Sequence, residues 1–263
     1  MEKDNQTKIS ALVLVKDEED RIDDCLSQLK FADEVIVLDQ NSQDKTVEIA
    51  KKFKTIILSS QDENFANNRN ILTHKAKNEW LLFVDADERL PEELVAEIQS
   101  AMENQKYSAY YISRKNIILG SWLKHGGWWP DYVPKLFKKS KLLKWSGSVH
   151  ESPEVSGDFG YLKYPLIHMT APNFNHMFIK TIKWARIEAE LNYQANSPKV
   201  NSAKVLLSLF KEFSKRYFIK LGFLDGKVGL IESLYQAYHR VIVLVYLWEL
   251  QNNTYEKYKK ADV

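Results

Sequence analysis

Short apolar segments alternate with amphipathic segments from Ile9 to Val84, and this alternation limits the fold more than any other feature of the chain. The apolar segments are rich in Val, Ile and Leu, which is typical of strands covered on both faces of a sheet. Strands that alternate with helices through short connections predict a parallel α/β sheet with right-handed crossovers. The predicted strands are Ile9–Val15, Glu34–Asp39, Thr55–Ser60 and Trp80–Val84.

Polar residues stand where three of these strands end. Lys16 and Asp17 follow the first strand, Asp39 ends the second, and Asp85 and Asp87 follow the fourth. Ligands of open parallel sheets bind at the carboxyl ends of the strands. A single aspartate at such a position is commonly a helix cap or a turn residue, but three polar groups at one edge favour a binding site.

Asp85 and Asp87 lie one residue apart in the segment "WLLFVDADERL". A buried carboxylate is costly unless a cation compensates it, so the pair is either a solvated turn or a metal site. Magnesium and manganese ions prefer oxygen ligands and retain several waters, so one or two carboxylates are enough to hold them. Glu92 and Glu93 fall in the first turn of the next predicted helix, where the helix dipole favours them, and we interpret them as structural.

Composition limits the class of protein. The chain has 263 residues, of which 44% are hydrophobic and 27% charged, and this is typical of a folded soluble protein. A net charge of +2 gives no general case for nucleic-acid binding.

The single cysteine, Cys25, favours a reducing compartment. The N-terminal stretch lacks the pattern of a signal peptide, and the apolar run Val241–Trp248 is much shorter than the roughly 20 residues of a spanning helix. We therefore expect a cytoplasmic protein.

The later parts of the chain change character twice. The segment 107–139 is aromatic and turn-rich, which indicates extra strands and loops over the sheet edge. From residue 173 onward the pattern is helical, and we predict a catalytic domain at 1–172 and a helical extension at 173–263. Within the extension, Ala203–Gly226 interleaves Lys and Arg with Leu and Phe. Such a helix either packs on the catalytic domain or lies in the interface of an anionic membrane.

Several segments in combination resemble glycosyltransferase family 2, most of all its lipopolysaccharide core β-glucosyltransferase branch. The segments are "ISALVLVKDEEDRIDDCL", "DEVIVLDQNSQDKT", "NNRN", "EWLLFVDADERLP", and "VHE" followed by "LIHMT". The resemblance runs from about Ile9 to Asp225, and it is specific in combination, although the Asp-x-Asp pair alone is a weak signal. It implies the GT-A (Rossmann-like) fold, a mostly parallel sheet flanked by helices, here with a C-terminal helical extension. It also implies inverting transfer of a sugar from a nucleotide diphosphate donor.

The resemblance assigns residues to the donor and the metal. Asp87 would hold a divalent ion, Mn²⁺ or Mg²⁺, while Asp85 would contact the ribose or reach the metal through water, with Ala86 between them at the donor. Asp39 matches the aspartate that receives the uracil base. Arg69 matches an arginine that flanks the same pocket; its alternative interpretation is a surface ion pair of little energetic value.

The first loop departs from the family pattern. Family members commonly have Asn-Glu there, whereas this chain has Lys16-Asp17-Glu18. Because an ionised aspartate accepts hydrogen bonds but does not donate them, a contact from Asp17 to the base edge is in doubt. A backbone contact from Val15 or Lys16 would remain.

Inverting transfer requires a general base, which typically contributes ~10²–10⁴-fold in rate. We predict Glu151 as this base, with His150 orienting it or acting itself. Asp131 is the competing candidate.

The remaining candidates are a histidine and an aromatic group. A lone histidine such as His168 is commonly a core residue, but the resemblance adds it to Asp85 and Asp87 as a phosphate or metal contact. Trp128, Trp129 and Tyr132 are predicted to bind the acceptor, because aromatic faces pack on the C–H surfaces of sugars; they also suit a core.

The combined prediction is a metal-dependent inverting enzyme that moves a hexose, with glucose favoured, from a UDP-sugar to a cell-envelope glycan such as lipopolysaccharide core. A lipid-linked acceptor favours peripheral contact with the inner face of the cell membrane. Alternatives are a capsule or protein-linked glycan as acceptor, or a non-catalytic nucleotide-sugar-binding module. A nucleotidyltransferase would need a glycine-rich loop after the first strand, and "VKDEEDR" has no glycine.

Overall fold

The predicted alternation of strands and helices is present in the computed structural model, which describes residues 7–104, 106–147, 151–171 and 173–252. The first elements are β1 (Ile9–Val15), α1 (Ile22–Ser27), β2 (Glu34–Asp39), α2 (Thr46–Ala50), β3 (Ile56–Ser59), α3 (Phe65–Lys75) and β4 (Trp80–Asp85). They are followed by β5 (Glu88–Arg89), α4 (Glu92–Glu103), β6 (Ala109–Ile118), β7 (Ser121–Trp122), β8 (Tyr132–Lys138), β9 (Leu142–Ser146), β10 (Ser152–Val155), β11 (Phe159–Tyr161) and β12 (Leu166–Ala171). Three helices complete the described chain: α5 (Phe174–Gln194), α6 (Ser202–Ser214) and α7 (Gly226–Asn252).

The main sheet has ten strands, and its first part is parallel. The order along the sheet is β3-β2-β1-β4-β8-β6-β12-β5, with β7 and β11 also paired to β6. β1 pairs in parallel with β2 on one side and with β4 on the other, whereas β8 adds to β4 in the antiparallel sense. The aromatic middle of the chain thus supplies the predicted extra strands, and β8 and β6 among them extend the sheet in the antiparallel sense.

β1 shows why these residues form a central strand. Its side chains alternate between two faces, and both faces are covered. On one face Ile9, Ala11 and Val13 pack with α1 and α4, and on the other Leu12 packs with α3 and with the aromatic residues of β4 and β8. Each fully buried Val, Leu or Ile contributes roughly 1.5–3 kcal/mol. A slip of one residue would move every β1 side chain to the wrong face.

The fold is α/β and of the GT-A (Rossmann-like) type, with helices that flank the sheet and a helical segment that follows it, as predicted. The sheet is mixed, because β6 and β8 pair in the antiparallel sense. Two compact units are distinguished within the described residues: Met1–Lys115 with Asp131–Met169, and Asn116–Pro130 with Thr170–Val263. We call them the sheet unit and the helical unit. The predicted boundary at 172/173 stays a prediction.

The helical unit has small cores of its own. One cluster joins Ile118 and Leu123 to Ala171, Met177 and Tyr235. A second joins alanines of α5 to Val243 and Leu247 of α7. Among the described helices, none is both long enough and apolar enough to cross a bilayer.

Candidate functional site

Strand pairing brings the predicted donor residues of the sheet unit to one edge. In the parallel pairs, Val15 lies opposite Asp39 and Leu14 lies opposite Asp85. The carboxyl ends of β1, β2 and β4 therefore meet, as the alternation of strands and helices requires.

Asp17, a predicted donor-binding residue, makes the contacts that hold the loop after β1. The Asp17 backbone, with φ of 53°, donates its N–H to Ser42 Oγ at 2.9 Å. Asp17 Oδ1 accepts from the backbone N–H of Gln43 at 2.7 Å. Lys16 is exposed, with its Nζ 3.7 Å from Glu63 Oε1. Asp17 thus serves to tie the first loop to the second.

Asp39 is buried at the end of β2, with 6% of its surface exposed. Its Oδ1 accepts from Ser42 Oγ at 2.5 Å, and the backbone N–H of Ser42 lies 3.2 Å from Oδ2. These bonds fix the carboxylate in one orientation while leaving lone pairs for a ligand.

Arg69 of α3 connects two acidic residues that are distant in sequence. Its Nη2 lies 3.4 Å from Asp85 Oδ1, and its Nε donates to Glu151 Oε1 at 3.2 Å. The guanidinium also lies over the rings of Trp145 and Phe83, at 4.9 and 5.3 Å from their centroids. Arg69 therefore packs against two aromatic rings and pairs with two carboxylates, which is more than a surface ion pair of little energetic value would do.

A buried lysine supports Asp85 from the other side. Lys135 Nζ lies 2.6 Å from Asp85 Oδ2 and 2.7 Å from Glu88 Oε2, and 4% of Lys135 and none of Glu88 is exposed. Glu88 Oε2 also accepts the backbone N–H of Asp85 at 2.9 Å. The three side chains and this N–H form one network that fixes the end of β4.

The electrostatics of this network follow from burial and from the two cations. Burial by itself raises the pKa of Asp85, but Lys135 and Arg69 outweigh it and hold that pKa well below its ordinary value. Burial raises the pKa of Glu88 despite the opposing charge of Lys135. Burial lowers the pKa of Lys135, yet Asp85 and Glu88 leave it above its ordinary value. Asp85 is therefore an anion whose position and charge are fixed before any ligand arrives.

Asp87 and His168 form a second pair. His168 Nε2 lies 3.3 Å from Asp87 Oδ2, and each side chain is 13% exposed. β12 holds the pair in place, because the Met169 N–H donates to the Asp87 carbonyl at 2.8 Å and His168 pairs with Glu88 of β5. Ala86, between the two aspartates, is buried.

The donor set of this pair fits a hard divalent cation. The Asp87 carboxylate is an oxygen ligand of the kind that Mg²⁺ and Mn²⁺ prefer, and the His168 imidazole could add a nitrogen ligand to Mn²⁺. Waters and substrate phosphates would complete the shell of either ion. Among the described residues, no group of three or more His, Cys, Asp or Glu side chains is placed to hold a metal ion.

The other predicted residues divide between the two units. Tyr132, which starts β8 in the sheet unit, is 44% exposed and its ring is 5.0 Å from that of Tyr161. Trp128 and Trp129 belong to the helical unit, where Trp129 makes an edge contact with Trp122 at 5.5 Å. His150 lies outside the described residues.

The competing base, Asp131, is engaged elsewhere. Its Oδ2 accepts from both Nε and Nη2 of Arg114 at 2.8 Å. Glu151, by contrast, contacts the arginine that also holds Asp85.

Sequence reasoning missed Lys135, Glu88 and Trp145. Glu88 and Lys135 look like surface charges when read singly. A signal was available, since Lys135 precedes Leu136 and Phe137 in a strand of seven residues, and a lone charge among buried strand positions indicates a buried ion pair.

A GT-A sheet with carboxylates at its edge is the fold that the sequence resemblance implies, and sequence comparison identifies the family. The description "Glycosyl transferase family 2" belongs to the family whose sequence pattern matches residues 10–162, more than half of the chain. The chain belongs to this family, and it is a glycosyltransferase.

Individual proteins are similar over most of the length or over part of it. An uncharacterized glycosyltransferase of Rickettsia bellii is 28% identical over 267 residues, covering 92% of this chain and 87% of that protein. The structure of Staphylococcus aureus TarS (residues 1–349) with UDP-GlcNAc covers 95% of this chain and 92% of that chain, at 15% identity and a TM-score of 0.48. Glucosyl-3-phosphoglycerate synthase of Mycobacterium tuberculosis, in complex with Mn²⁺, UDP and glucosyl-3-phosphoglycerate, covers 42% of this chain and 44% of that chain, at 19% identity and a TM-score of 0.35.

Proposed function

We propose that this glycosyltransferase is metal-dependent and inverting, and that it moves a hexose, with glucose favoured, from a UDP-sugar to a cell-envelope glycan such as lipopolysaccharide core. The observation that carries this proposal is the fixed acidic edge: Asp39 and Asp85 end the two strands that flank β1, and Arg69 and Lys135 hold Asp85 as an anion. A capsule or protein-linked glycan is the alternative acceptor.

The donor residues would act as follows. Asp39 accepts the imide N–H of uracil, and backbone groups of Val15 and Lys16 border the base. Asp85 orients the ribose. Asp87, with His168, would hold the divalent cation, which when bound stabilises the negative charge that develops on the leaving diphosphate.

Glu151 is the proposed general base. It accepts the proton of the acceptor hydroxyl while the acceptor oxygen bonds to the anomeric carbon and the bond from that carbon to the diphosphate oxygen breaks. Arg69 positions Glu151 through the 3.2 Å bond and holds Asp85 with the same guanidinium. Trp128, Trp129 and Tyr132 would contact acceptor sugars, and His150 would assist the base.

Peripheral membrane contact by the helical extension, residues 173–263, is part of the proposal. Leu207, Phe210 and Ile219 are 68%, 66% and 76% exposed, and the exposed Lys211 and Lys215 lie among them. Exposed apolar side chains interleaved with lysines complement the acyl boundary and headgroups of an anionic membrane.

Donor turnover tests the enzymatic proposal. Hydrolysis of UDP-glucose and other nucleotide sugars is measured with Mn²⁺, with Mg²⁺ and with chelator. We expect turnover to require the cation and to fall about 100-fold or more in Asp87→Asn, because the metal supplies several kcal/mol of transition-state stabilisation. Glu93→Gln, a neutralised carboxylate in the first turn of α4, is the control and should keep full activity. Full activity of Asp87→Asn would refute the metal assignment, and donor binding without any turnover would favour the non-catalytic alternative.

Sedimentation with lipid vesicles tests the membrane proposal. The chain is expected to bind vesicles containing phosphatidylglycerol more tightly than pure phosphatidylcholine. Leu207→Ser with Phe210→Ser should abolish this binding, whereas Leu143→Ser, which alters a 65% exposed leucine of the sheet unit, should not. Equal binding by both variants would refute the assignment.

A further inference from the structure

Ser42 connects the loop after β1 to the aspartate that ends β2. Its hydroxyl accepts the backbone N–H of Asp17 at 2.9 Å and donates its own hydrogen to Asp39 Oδ1 at 2.5 Å. The backbone N–H of Ser42 lies 3.3 and 3.2 Å from the two oxygens of Asp39. Two donors of one residue therefore face the Asp39 carboxylate and limit its rotation about the side-chain bonds.

The loops after β1 and β2 in turn hold Ser42. Asp17 Oδ1 accepts the backbone N–H of Gln43 at 2.7 Å, so hydrogen bonds cross between the loops in both directions. An aspartate that only shaped its own turn would need the backbone N–H of Ser42 and no second loop. The chain of bonds from Asp17 through the Ser42 hydroxyl to Asp39 goes beyond such a turn.

A carboxylate fixed in this way distinguishes between two pyrimidine edges. Asp39 receives both hydrogens of Ser42 and offers its remaining lone pairs to a ligand. At ring position 3 uracil has an N–H, whereas cytosine has a bare nitrogen with an amino group beside it. A carboxylate that could turn would reach the cytosine amino group. A carboxylate that is 6% exposed and held by Ser42 has little room to do so.

We propose that Ser42 is a positioning residue for donor selection, which makes the site prefer uracil nucleotides over cytosine nucleotides by fixing Asp39. This inference rests on the proposed function, in which Asp39 accepts the imide N–H of uracil. A site built to bind one N–H rejects an analogue that lacks it, because the acceptor is then left unpaired. Ser42 touches no part of the nucleotide in this scheme and acts only through Asp39.

Binding of UDP and of CDP in the presence of Mn²⁺, measured by calorimetry, tests the proposal. The unmodified chain is expected to bind UDP at least about tenfold more tightly than CDP. Ser42→Ala should bring this ratio close to one, mainly through weaker UDP binding, whereas Ser42→Thr keeps a hydroxyl and should keep the ratio. Ser27→Ala is the matched control, because Ser27 is exposed and its hydroxyl donates to the Asp24 carbonyl at 2.9 Å.

A second measurement shows whether Ser42 acts through Asp39. In an Asp39→Asn background, Ser42→Ala should change the ratio by less than about twofold, because residues that act through one another are not additive. Thermal melting checks that each variant folds. Ser42→Cys, whose thiol is a weak donor, replaces Ser42→Ala if the alanine variant does not fold, and it should also lower the ratio.

Three results would overturn the proposal. These are equal binding of UDP and CDP by the unmodified chain, equal weakening of both nucleotides in Ser42→Ala, and a full effect of Ser42→Ala in the Asp39→Asn background. The equal weakening would mean that Ser42 only orders the loops. Nucleotide-sugar turnover separates this inference from the proposed function. UDP selectivity that depends on Ser42 supports the inference even if no UDP-sugar is turned over, whereas turnover of UDP-sugars with unchanged selectivity in Ser42→Ala refutes the role of Ser42 alone.

Discussion

The sheet unit and the helical unit use apolar residues in opposite ways. In the sheet unit, the residues of β4 from Trp80 to Val84 are each 1% exposed or less. In the helical unit, α6 has no buried residue at all, and 20 of the 27 exposed large apolar side chains among the described residues fall in 173–252. The sheet unit buries its apolar side chains in a core that fixes the site. The helical unit exposes many of its apolar side chains, which can therefore contact another surface.

The buried ion network of the sheet unit gives the largest expected effect. Lys135→Met should cost about 3–5 kcal/mol in the free energy of unfolding, because it leaves Glu88 buried without its cation. Donor turnover should fall as well, since Asp85 loses the 2.6 Å contact that fixes it. Denaturant unfolding and turnover assays measure both effects.

Lys138→Met is the matched control. Lys138 Nζ pairs with Glu79 Oε1 at 3.0 Å, but those side chains are 25% and 51% exposed, and pairs of this kind contribute about 0–1 kcal/mol. Adding Glu88→Leu to Lys135→Met should recover stability without recovering turnover. Equal losses for the two lysine variants would contradict the contrast between buried and exposed charges.

A matched pair of leucines tests the contrast in apolar burial. Leu82 is fully buried in β4, and Leu207 of α6 is 68% exposed. Leu82→Ala should cost about 2–5 kcal/mol, because it removes packing and leaves a cavity, whereas Leu207→Ala should stay within about 0.5 kcal/mol. Chemical denaturation compares them, and a large loss for Leu207→Ala would show that α6 is packed in solution.

Glu232 should make stability depend on pH in the helical unit. Burial raises its pKa to about 7 in the folded chain, against an ordinary value of 4.5, so the folded state keeps a proton that the unfolded state releases. Stability therefore falls as pH rises from about 4.5 to about 7, by about 3 kcal/mol, and changes no further above that. Glu232→Gln should remove this slope, which denaturation at pH 5 and pH 8 measures. An identical slope in both proteins would contradict the assignment.

Much of the sheet unit could be predicted from the sequence, because a strand covered on both faces must be continuously apolar. The structure gives β3 as Ile56–Ser59 within the predicted segment of residues 55–60. Glu92 and Glu93 lie in the first turn of α4, as the Pro91 that precedes them and the dipole argument indicate.

The contact of Lys135 that holds Asp85 in place could not be predicted in the same way. Asp39 and Asp85 were found at predicted strand ends and Arg69 through a resemblance, but Lys135 comes from a different strand and reaches Asp85 only through the pairing of β8 with β4. The position of Lys135 in an apolar strand indicates that it is buried, but no local pattern identifies a partner that lies 50 residues away. The burial of Glu232 was missed for the same reason, since it depends on packing among helices rather than on spacing within one helix.

Two asparagine caps give the smallest expected effect and the finest test of the comparison. Asn64 caps α3 in the sheet unit, accepting the N–H of Asn67 at 3.2 Å, and Asn201 caps α6 in the helical unit, accepting the N–H of Lys204 at 2.8 Å. Replacement of either by Ala should cost about 1 kcal/mol. α3 is anchored by buried residues and α6 is not, so Asn201→Ala should speed hydrogen exchange within α6 several-fold, while Asn64→Ala should leave exchange in the second half of α3 nearly unchanged. Equal changes in the two helices would mean that α6 is held by contacts as strong as those of the sheet unit, and its apolar surface would then be unavailable for a membrane.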